Sequence, residues 1–316
     1  MTEVPHYHAL LDGITCVDTG YYRPALAACY LIEHNGQAAF VDTGISRTVP
    51  QLLQLLEIKQ IARDDVAYVM PTHVHLDHAG GAGALMAQLP SAKLVIHPRG
   101  ARHMIDPTKL AAGATAVYGE VAFLENFGEL IPVAEERIIV ADDGYSLDLN
   151  GRLLLFLDTP GHARHHYSIY DQTSNGFFTG DIFGLSYREL DTAASQFVFP
   201  TTTPVQFDPE AWHHSLDRLL SYNPERMFLA HYGMVTRIEK LAGDLHRRID
   251  KLTEIAKAAH GKDQQEQIMQ GMIDLLADEL RRTGHSLSTD EVVELFRLDL
   301  ELNAQGLQVW LNRNAS

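Results

Sequence analysis

The sequence predicts an α/β fold, and three patterns along its 316 residues support this class. Short apolar runs of β character alternate with helical runs between residues 66 and 97, the rhythm of layered α/β folds. One β-rich series at residues 10–42 precedes these helices, and a second at residues 138–179 follows them. The last part of the chain is helical only. We therefore expect a main body over residues 1–235 and a C-terminal helical extension over residues 236–316.

Composition is that of an ordinary globular protein, with 46% apolar and 21% charged residues. The formal net charge of −16 disfavours nucleic acid and anionic membranes as partners, because both attract basic patches. Residues 1–8 lack the regions of a signal peptide, and no apolar run approaches the ~20 residues of a membrane span. We therefore expect a cytoplasmic protein. Cys16 and Cys29 are predicted to be reduced core thiols, with a bridge between them as the alternative.

The first β series contains three runs, at residues 10–19, 27–33 and 37–42. Asn35-Gly36 separates the last two and is a strong hairpin signal. Three successive β runs predict an antiparallel edge of a sheet. Leucine spacing over residues 48–58 then predicts a helix.

Later elements follow from the same periodicities. They are, in chain order, strand 66–70, helix 82–89, strand 93–97, helices near 99–105 and 111–125, strands 138–140, 145–149, 152–157, 167–170 and 176–179, helix 208–221, strand 226–230, and helices 236–260, 263–284 and 289–313. Residues 184–206 are predicted to be irregular, and a loop of this length is usually a functional cover or disordered. The C-terminal helices have apolar faces that must pack on the main body or on another subunit, so a homodimer is one possible state.

Four side chains that can bind metal ions, His73, His75, Asp77 and His78, fall within six residues of the loop between strand 66–70 and the next helix. Side chains of an extended segment alternate, so His73 and His75 point the same way and can hold one cation. The turn toward the helix directs Asp77 and His78 at a second point. This donor set favours zinc, iron or manganese over calcium or magnesium. A polar loop with only local hydrogen bonds is the alternative.

Three further candidates, His162, Asp181 and His231, each follow an apolar β run beside a glycine. Ligands at the same ends of neighbouring strands meet at one edge of a sheet. Together with the first cluster they give seven ligands, enough for two metal ions.

These motifs resemble the metallo-β-lactamase superfamily, and within it the glyoxalase II-like hydrolases. The resemblance covers residues 10–235 and runs through five motifs in order: Asp42, the His-x-His-x-Asp-His run, His162 in Pro-Gly-His, Asp181 in Thr-Gly-Asp, and His231. It implies a four-layer αβ/βα sandwich with the site at one sheet edge, followed by the helical extension. It also implies two divalent metal ions, zinc first, with iron or manganese as alternatives.

The resemblance further implies a role for each residue. His73, His75 and His162 would bind the first metal, Asp77, His78 and His231 the second, and Asp181 would bridge both. Asp42 would position the ligand loop, and His166 would be structural or support a ligand. Hydrolysis of an ester-like bond (lactone, thioester or phosphodiester) by a metal-bridging hydroxide follows, with Asp77 relaying a proton.

Two other functions remain open at this point: a mononuclear iron persulfide dioxygenase of the same fold, and a non-catalytic protein that retains metal. The substrate is expected to be a small molecule. Tyr22, Arg164, Tyr187 and Tyr232 are candidate substrate residues because they lie on loops that border the site, or close in sequence to ligands. A packing or loop role is the alternative for each of them.

Overall fold

The computed structural model describes residues 5–192, 196–202 and 204–314, and the chain divides into two compact units. The first unit consists of Met1–Asp158, His165–Gly180 and Pro224–Met234. The second consists of Thr159–Arg164, Asp181–Asn223 and Val235–Ser316. Whether residues 236–316 form a separate domain stays a prediction. No helix of the described residues is long and apolar enough to cross a membrane.

The first unit is built on two β-sheets. The larger sheet has seven strands in sequence order: β1 Tyr7–Ala9, β2 Ile14–Asp18, β3 Ala28–His34, β4 Gln37–Val41, β5 Val66–Met70, β6 Lys93–Ile96 and β7 Ile138–Val140. The smaller sheet has six strands, which are also neighbours in sequence order: β8 Tyr145–Leu149, β9 Arg152–Asp158, β10 Tyr167–Asp171, β11 Gly176–Phe178, β12 Arg226–Leu229 and β13 Gly233–Val235. Strands β1 to β4 pair antiparallel and β4 to β7 pair parallel, so the predicted antiparallel edge is confirmed.

Eleven helices are present among the described residues. They are α1 Val49–Ile58, α2 Leu76–Ala79, α3 Ala82–Gln88, α4 Pro98–Ile105, α5 Thr108–Tyr118, α6 Glu120–Asn126, α7 Pro209–Leu220, α8 Ile238–Ala258, α9 Gln264–Arg282, α10 Thr289–Leu295 and α11 Arg297–Asn314. The single helix predicted near 111–125 is broken at Gly119, where φ is +82°. The predicted helix 289–313 is likewise two helices that meet at Phe296.

Two apolar clusters make the core of the first unit. One lies between the larger sheet and helices such as α1 and α3, and the other lies between the two sheets. Tyr30 on β3 packs in the second cluster, with its ring 5.3 Å from Phe178 and its hydroxyl donating to the carbonyl of Leu229. Cys29 belongs to the first cluster and Cys16 to the second. Cys29 is paired with Val17, the residue after Cys16, and successive residues of a strand face opposite sides of the sheet. Both cysteines are buried, and neither forms a disulfide within the described residues.

The second unit holds α7 to α11 and the irregular stretch before α7. Asp208 caps α7 by accepting a hydrogen bond from the backbone N–H of Ala211, which was expected from the Asp-Pro-Glu sequence. Between α8 and α9, the buried Arg248 pairs with Glu279 at 3.0 Å. Asn303 of α11 accepts from the backbone N–H of Thr202 at 2.7 Å. The C-terminal helices therefore fix the backbone of the loop that precedes α7.

Candidate metal centre

The segment after β5 places four candidate ligands in a small volume of the first unit. His73 and His75 precede α2, and Asp77 and His78 lie in that single-turn helix. The His73 Nε2 and His75 Nδ1 atoms are 3.0 Å apart, and the rings of His73 and His78 are 4.3 Å apart. Two nitrogen ligands of a tetrahedral zinc ion are roughly 3.3 Å apart, from Zn–N distances of about 2.0–2.1 Å. The His73–His75 pair is therefore close to the spacing that one metal ion needs.

His231 joins Asp77 and His78 in the same unit. The Asp77 Oδ2 atom lies 3.4 Å from His78 Nε2 and 3.4 Å from His231 Nε2. One ligand atom from each of the three residues lies within 4.8 Å of the others. This group has the composition and size of a metal site, although His231 is more than 150 residues from the other two in the chain.

Hydrogen bonds determine which ring nitrogen of each histidine is available. The carbonyl of Leu26 lies 3.0 Å from His231 Nδ1, and a carbonyl can only accept, so that nitrogen carries the proton. The same reasoning applies to His78, whose Nδ1 lies 3.3 Å from the Asp42 carboxylate. In the neutral form of these two rings Nε2 therefore has the lone pair, and this is the form of histidine that binds metal ions.

Asp42 hydrogen-bonds to the loop that carries the candidate ligands. Its Oδ1 accepts from the backbone N–H of Thr72 at 2.7 Å, and the Thr72 hydroxyl donates to the same carboxylate at 3.0 Å. Because that hydroxyl donates to Asp42, it can accept from His73 Nδ1, which is 3.1 Å away. Asp42 thus contacts His73 through Thr72 and contacts His78 directly, and its role in positioning the loop stays a prediction.

The Asp77 carboxylate is held in its ionised form. Burial alone would raise its pKa, but the charge of His78 and hydrogen bonds from His231 and His78 outweigh this effect. The pKa of Asp77 therefore lies well below its usual range. An ionised carboxylate between two imidazoles is a suitable metal ligand.

His166 and His165 both lie against the ligand histidines. The buried ring of His166 is 5.0 Å from that of His73, and the ring of His165 stacks on His73 at 6.1 Å. A Cβ at Gly180, which has φ +51°, would come within 2.4 Å of His166 Nε2, so a side chain there would displace His166. In the sequence, His165 is marked only by its position close to the candidate ligand His162.

His162 and Asp181 lie together in the second unit. The His162 Nε2 atom is 3.3 Å from Asp181 Oδ2, and the carbonyl of Thr201 accepts from His162 Nδ1 at 2.8 Å. His162 therefore presents Nε2 as well. Thr201 is next to Thr202, which Asn303 holds, so α11 contributes to the position of His162. No pattern in the C-terminal helices predicted this role.

Chain connectivity relates these two residues to the others. The segment Thr159–Arg164, which carries His162, continues from Asp158 and into His165 of the first unit, and Asp181 directly follows Gly180. The structure thus brings five of the seven predicted ligands together in one unit and the remaining two together in the other. Imidazole Nε2 atoms with carboxylate oxygens fit zinc, iron or manganese.

The four candidate substrate residues differ in exposure. Tyr22 is 65% exposed, and Arg164 is exposed with its backbone N–H bonded to Gln206. Tyr232 is buried, and burial followed by the nearby Cys16 raises the pKa of its hydroxyl. Tyr187 is 1% exposed and donates to Asp299 at 2.7 Å. These contacts of Tyr187 are those of a packing residue.

Comparison with known proteins gives a consistent match. The family model described as Metallo-beta-lactamase superfamily matches residues 22–231. The chain is 27% identical over 217 residues to the metallo-beta-lactamase fold-containing protein ST1585 of Sulfurisphaera tokodaii, covering 67% of this chain and 75% of that protein. The solved structure of ST1585 superposes with a TM-score of 0.65 at 23% identity, covering 95% of this chain and 99% of the other. The predicted α/β fold with C-terminal helices is confirmed.

Two further relatives have names that describe an activity. Acyl-coenzyme A thioesterase MBLAC2 of Homo sapiens is 26% identical over 197 residues, covering 56% of this chain and 65% of the relative. Hydroxyacylglutathione hydrolase of Stenotrophomonas maltophilia is 28% identical over 162 residues, covering 51% of this chain and 47% of the relative.

Proposed function

This chain belongs to the metallo-beta-lactamase superfamily, and on that premise we propose that it is a dinuclear metal-dependent hydrolase of an ester-like bond. The observation that carries the proposal is the set of oriented histidines. His78, His162 and His231 each engage Nδ1 with an oxygen that accepts, which leaves Nε2 for a metal ion. Histidines that form only local hydrogen bonds in a polar loop would not be expected to share one ring orientation.

The proposed ligand assignment follows the family pattern. His73, His75 and His162 would hold one ion, Asp77, His78 and His231 the other, and Asp181 would bridge them. We propose zinc, with iron or manganese as alternatives that the same donors accept. When bound by these residues, two such ions would supply an activated water near neutral pH and a positive charge for the oxygen of the substrate.

The residues of the chain have supporting tasks in this reaction. The Asp77 carboxylate, ionised at neutral pH, would relay a proton at Oδ2 to the leaving group. Asp42 and the carbonyls of Leu26 and Thr201 keep the histidine rings in one orientation, so no reorganisation is needed during the reaction.

Among ester-like bonds we propose a thioester, ahead of a lactone or a phosphodiester. The support is that two relatives are named for an acyl-coenzyme A and for hydroxyacylglutathione. The net charge of −16 supports a small-molecule substrate rather than nucleic acid or a membrane. A cytoplasmic location is proposed because no disulfide joins Cys16 and Cys29. A homodimer is proposed as one possible assembly, and light scattering of the purified protein tests it.

The test combines metal content with hydrolysis. Wild type should contain two ions per chain and hydrolyse an acyl thioester. His75→Ala and Asp181→Ala should each lose metal and activity together while the helical circular dichroism persists, and His260→Ala, at an exposed histidine, should lose neither. Retained hydrolysis in metal-depleted His75→Ala would contradict the proposal. One iron per chain and oxygen consumption with glutathione persulfide would identify the dioxygenase instead, and bound metal without any turnover would identify a binding protein.

A further inference from the structure

A cleft in the first unit is formed by segments that hydrogen-bond to the candidate metal centre. Its volume is about 470 Å³, within the usual range for small-molecule sites. It is lined by residues from three segments, including Tyr22 of the β2–β3 loop, Ile45 and Arg47 before α1, Gln51 of α1, and Asn126 of α6. The lining is mostly polar, with hydroxyl and amide groups that can donate hydrogen bonds.

The β2–β3 loop, which forms one side of the cleft, also hydrogen-bonds to His231 through Leu26. The β2–β3 loop closes on itself because Thr19 donates to the carbonyl of Ala27 from both its N–H and its hydroxyl, each at 3.0 Å. The neighbouring carbonyl of Leu26 accepts from His231 Nδ1. The loop that carries Tyr22 therefore also orients a proposed metal ligand.

The segment that carries Ile45 and Arg47 is linked to His78 through Thr43. Thr43 donates to the carbonyl of His78 from both its N–H and its hydroxyl, each at 2.8 Å. Two residues further along, Ile45 precedes the short 3₁₀ turn Ser46–Thr48, which contains Arg47. This segment and the β2–β3 loop are joined where the Thr48 hydroxyl donates to the carbonyl of Thr19 at 2.9 Å. The cleft is thus part of the same hydrogen-bonded framework as the Asp77–His78–His231 group.

Arg47 is the one ionisable cation that lines the cleft. Its side chain is exposed, and no ion pair or hydrogen bond of its guanidinium occurs within residues 5–192, 196–202 and 204–314. The carboxylate of Asp18, at the end of β2, accepts from the backbone N–H groups of Gly20 and Ala25. An arginine fork beside neutral hydrogen-bond donors matches the geometry of a carboxylate or a phosphate.

We propose that this cleft binds the anionic part of the thiol carrier of the substrate, with Arg47 pairing a carboxylate or phosphate group of that carrier. The inference rests on the proposed thioesterase function, because it assigns the cleft to the leaving-group side of that substrate. Tyr22 would close the cleft over the carrier. Arg47 is a specificity-determining residue and takes no part in the bond cleavage itself.

The test measures binding separately from hydrolysis. S-methylglutathione, S-methyl-coenzyme A and the neutral N-acetyl-S-methylcysteamine are thioethers that cannot be hydrolysed, so calorimetric titration of the purified protein reports affinity alone. Arg47→Glu should weaken at least one of the two anionic probes roughly tenfold or more, because a charged hydrogen-bonded contact is replaced by repulsion. The probe that responds distinguishes a carboxylate carrier from a phosphate carrier.

A matched control is Arg63→Glu, which makes the same charge change at an exposed arginine before β5, at the opposite end of that strand from the ligand loop. Its affinity for every probe should stay within about twofold of wild type. Arg47→Lys should keep most of the affinity lost in Arg47→Glu. If Arg47→Glu does not fold, raising the ionic strength of wild type from about 0.01 M to about 1 M should weaken the anionic probes only.

Three outcomes would overturn the subsite. They are equal affinity of wild type and Arg47→Glu for both anionic probes, an equal loss for the neutral probe, and salt-independent binding. Hydrolysis of a neutral N-acetylcysteamine thioester with no preference for anionic carriers would uphold the hydrolase and overturn the subsite. Charge-dependent binding without hydrolysis of any thioester would uphold the subsite and overturn the proposed thioesterase function. In an active enzyme, Arg47→Glu should raise KM for the anionic substrate and leave kcat unchanged.

Discussion

Replacing Asp42 by Asn removes one negative charge beside Thr72 and His78 while keeping the shape of the side chain. The amide oxygen can still accept from the backbone N–H of Thr72, now 2.7 Å from Oδ1, but without the strength of a charged acceptor. Its NH₂ group would face His78 Nδ1–H, one donor against another. Charged hydrogen bonds contribute about 1.5–3 kcal/mol and are roughly twice as strong as neutral ones, so we expect a stability loss of about 1–2 kcal/mol.

The larger effect of Asp42→Asn should be on metal binding. Removing a partner that orients a metal ligand typically lowers metal affinity by roughly 10–100-fold. The 3.3 Å between Asp42 and His78 Nδ1 is long for a hydrogen bond, so we expect the lower end, about tenfold. Competition of the protein with a chromophoric zinc chelator measures this ratio, and thermal unfolding of the same samples measures stability.

Asp171→Asn is the matched control for this measurement. Asp171 is buried in the same unit and pairs with Arg152 at 2.5 Å, at the end of β10 away from the ligand histidines. This change should lower stability and leave the zinc affinity of the folded protein within about twofold. Zinc binding by Asp42→Asn as tight as that of wild type, or an equal weakening by Asp171→Asn, would refute the positioning role of Asp42.

Three other predictions concern the rest of the chain. Asn303→Ala should lower stability by about 1–3 kcal/mol, because it leaves the buried Thr202 N–H without its acceptor, and should weaken metal binding through His162; unfolding and chelator competition measure both. Burial and then the charge of His213 lower the pKa of His246 from 6.5, so wild type should lose stability as pH falls below about 6.5, and His246→Gln should lose less between pH 7.5 and 5.5. Arg152→Ala should cost about 3–5 kcal/mol by chemical denaturation, since it leaves Asp171 buried and unpaired.

Local patterns in the sequence predicted most of the elements and the first metal-binding cluster. The spacing of His73, His75, Asp77 and His78 is a property of one loop, so it could be recognised without knowing the fold. The strands and long helices also followed from periodicity. Strands β1 and β13 were missed because Tyr-His-Ala and Gly-Met-Val do not form a run of β-branched residues, unlike the Ile-Ile-Val of β7, which is equally short.

Contacts between distant segments could not be predicted in this way. The segments that carry His162 and Asp181 belong to one compact unit with the C-terminal helices, and the link from Asn303 to Thr202 spans 101 residues. A Cβ at Gly161 would lie 2.5 Å from the backbone of Trp212, which explains the glycine before His162 only once α7 is placed. Arg47 had no spacing or periodicity to mark it, because its significance comes from the cleft that it lines.

The number of metal ions per chain, measured by elemental analysis of wild type and His231→Ala, tests the dinuclear centre most directly. We expect two ions per chain in wild type and one in His231→Ala, because the change removes a ligand from only one of the two proposed ion positions. A wild-type protein that holds a single ion, or a His231→Ala variant that keeps both, would contradict it.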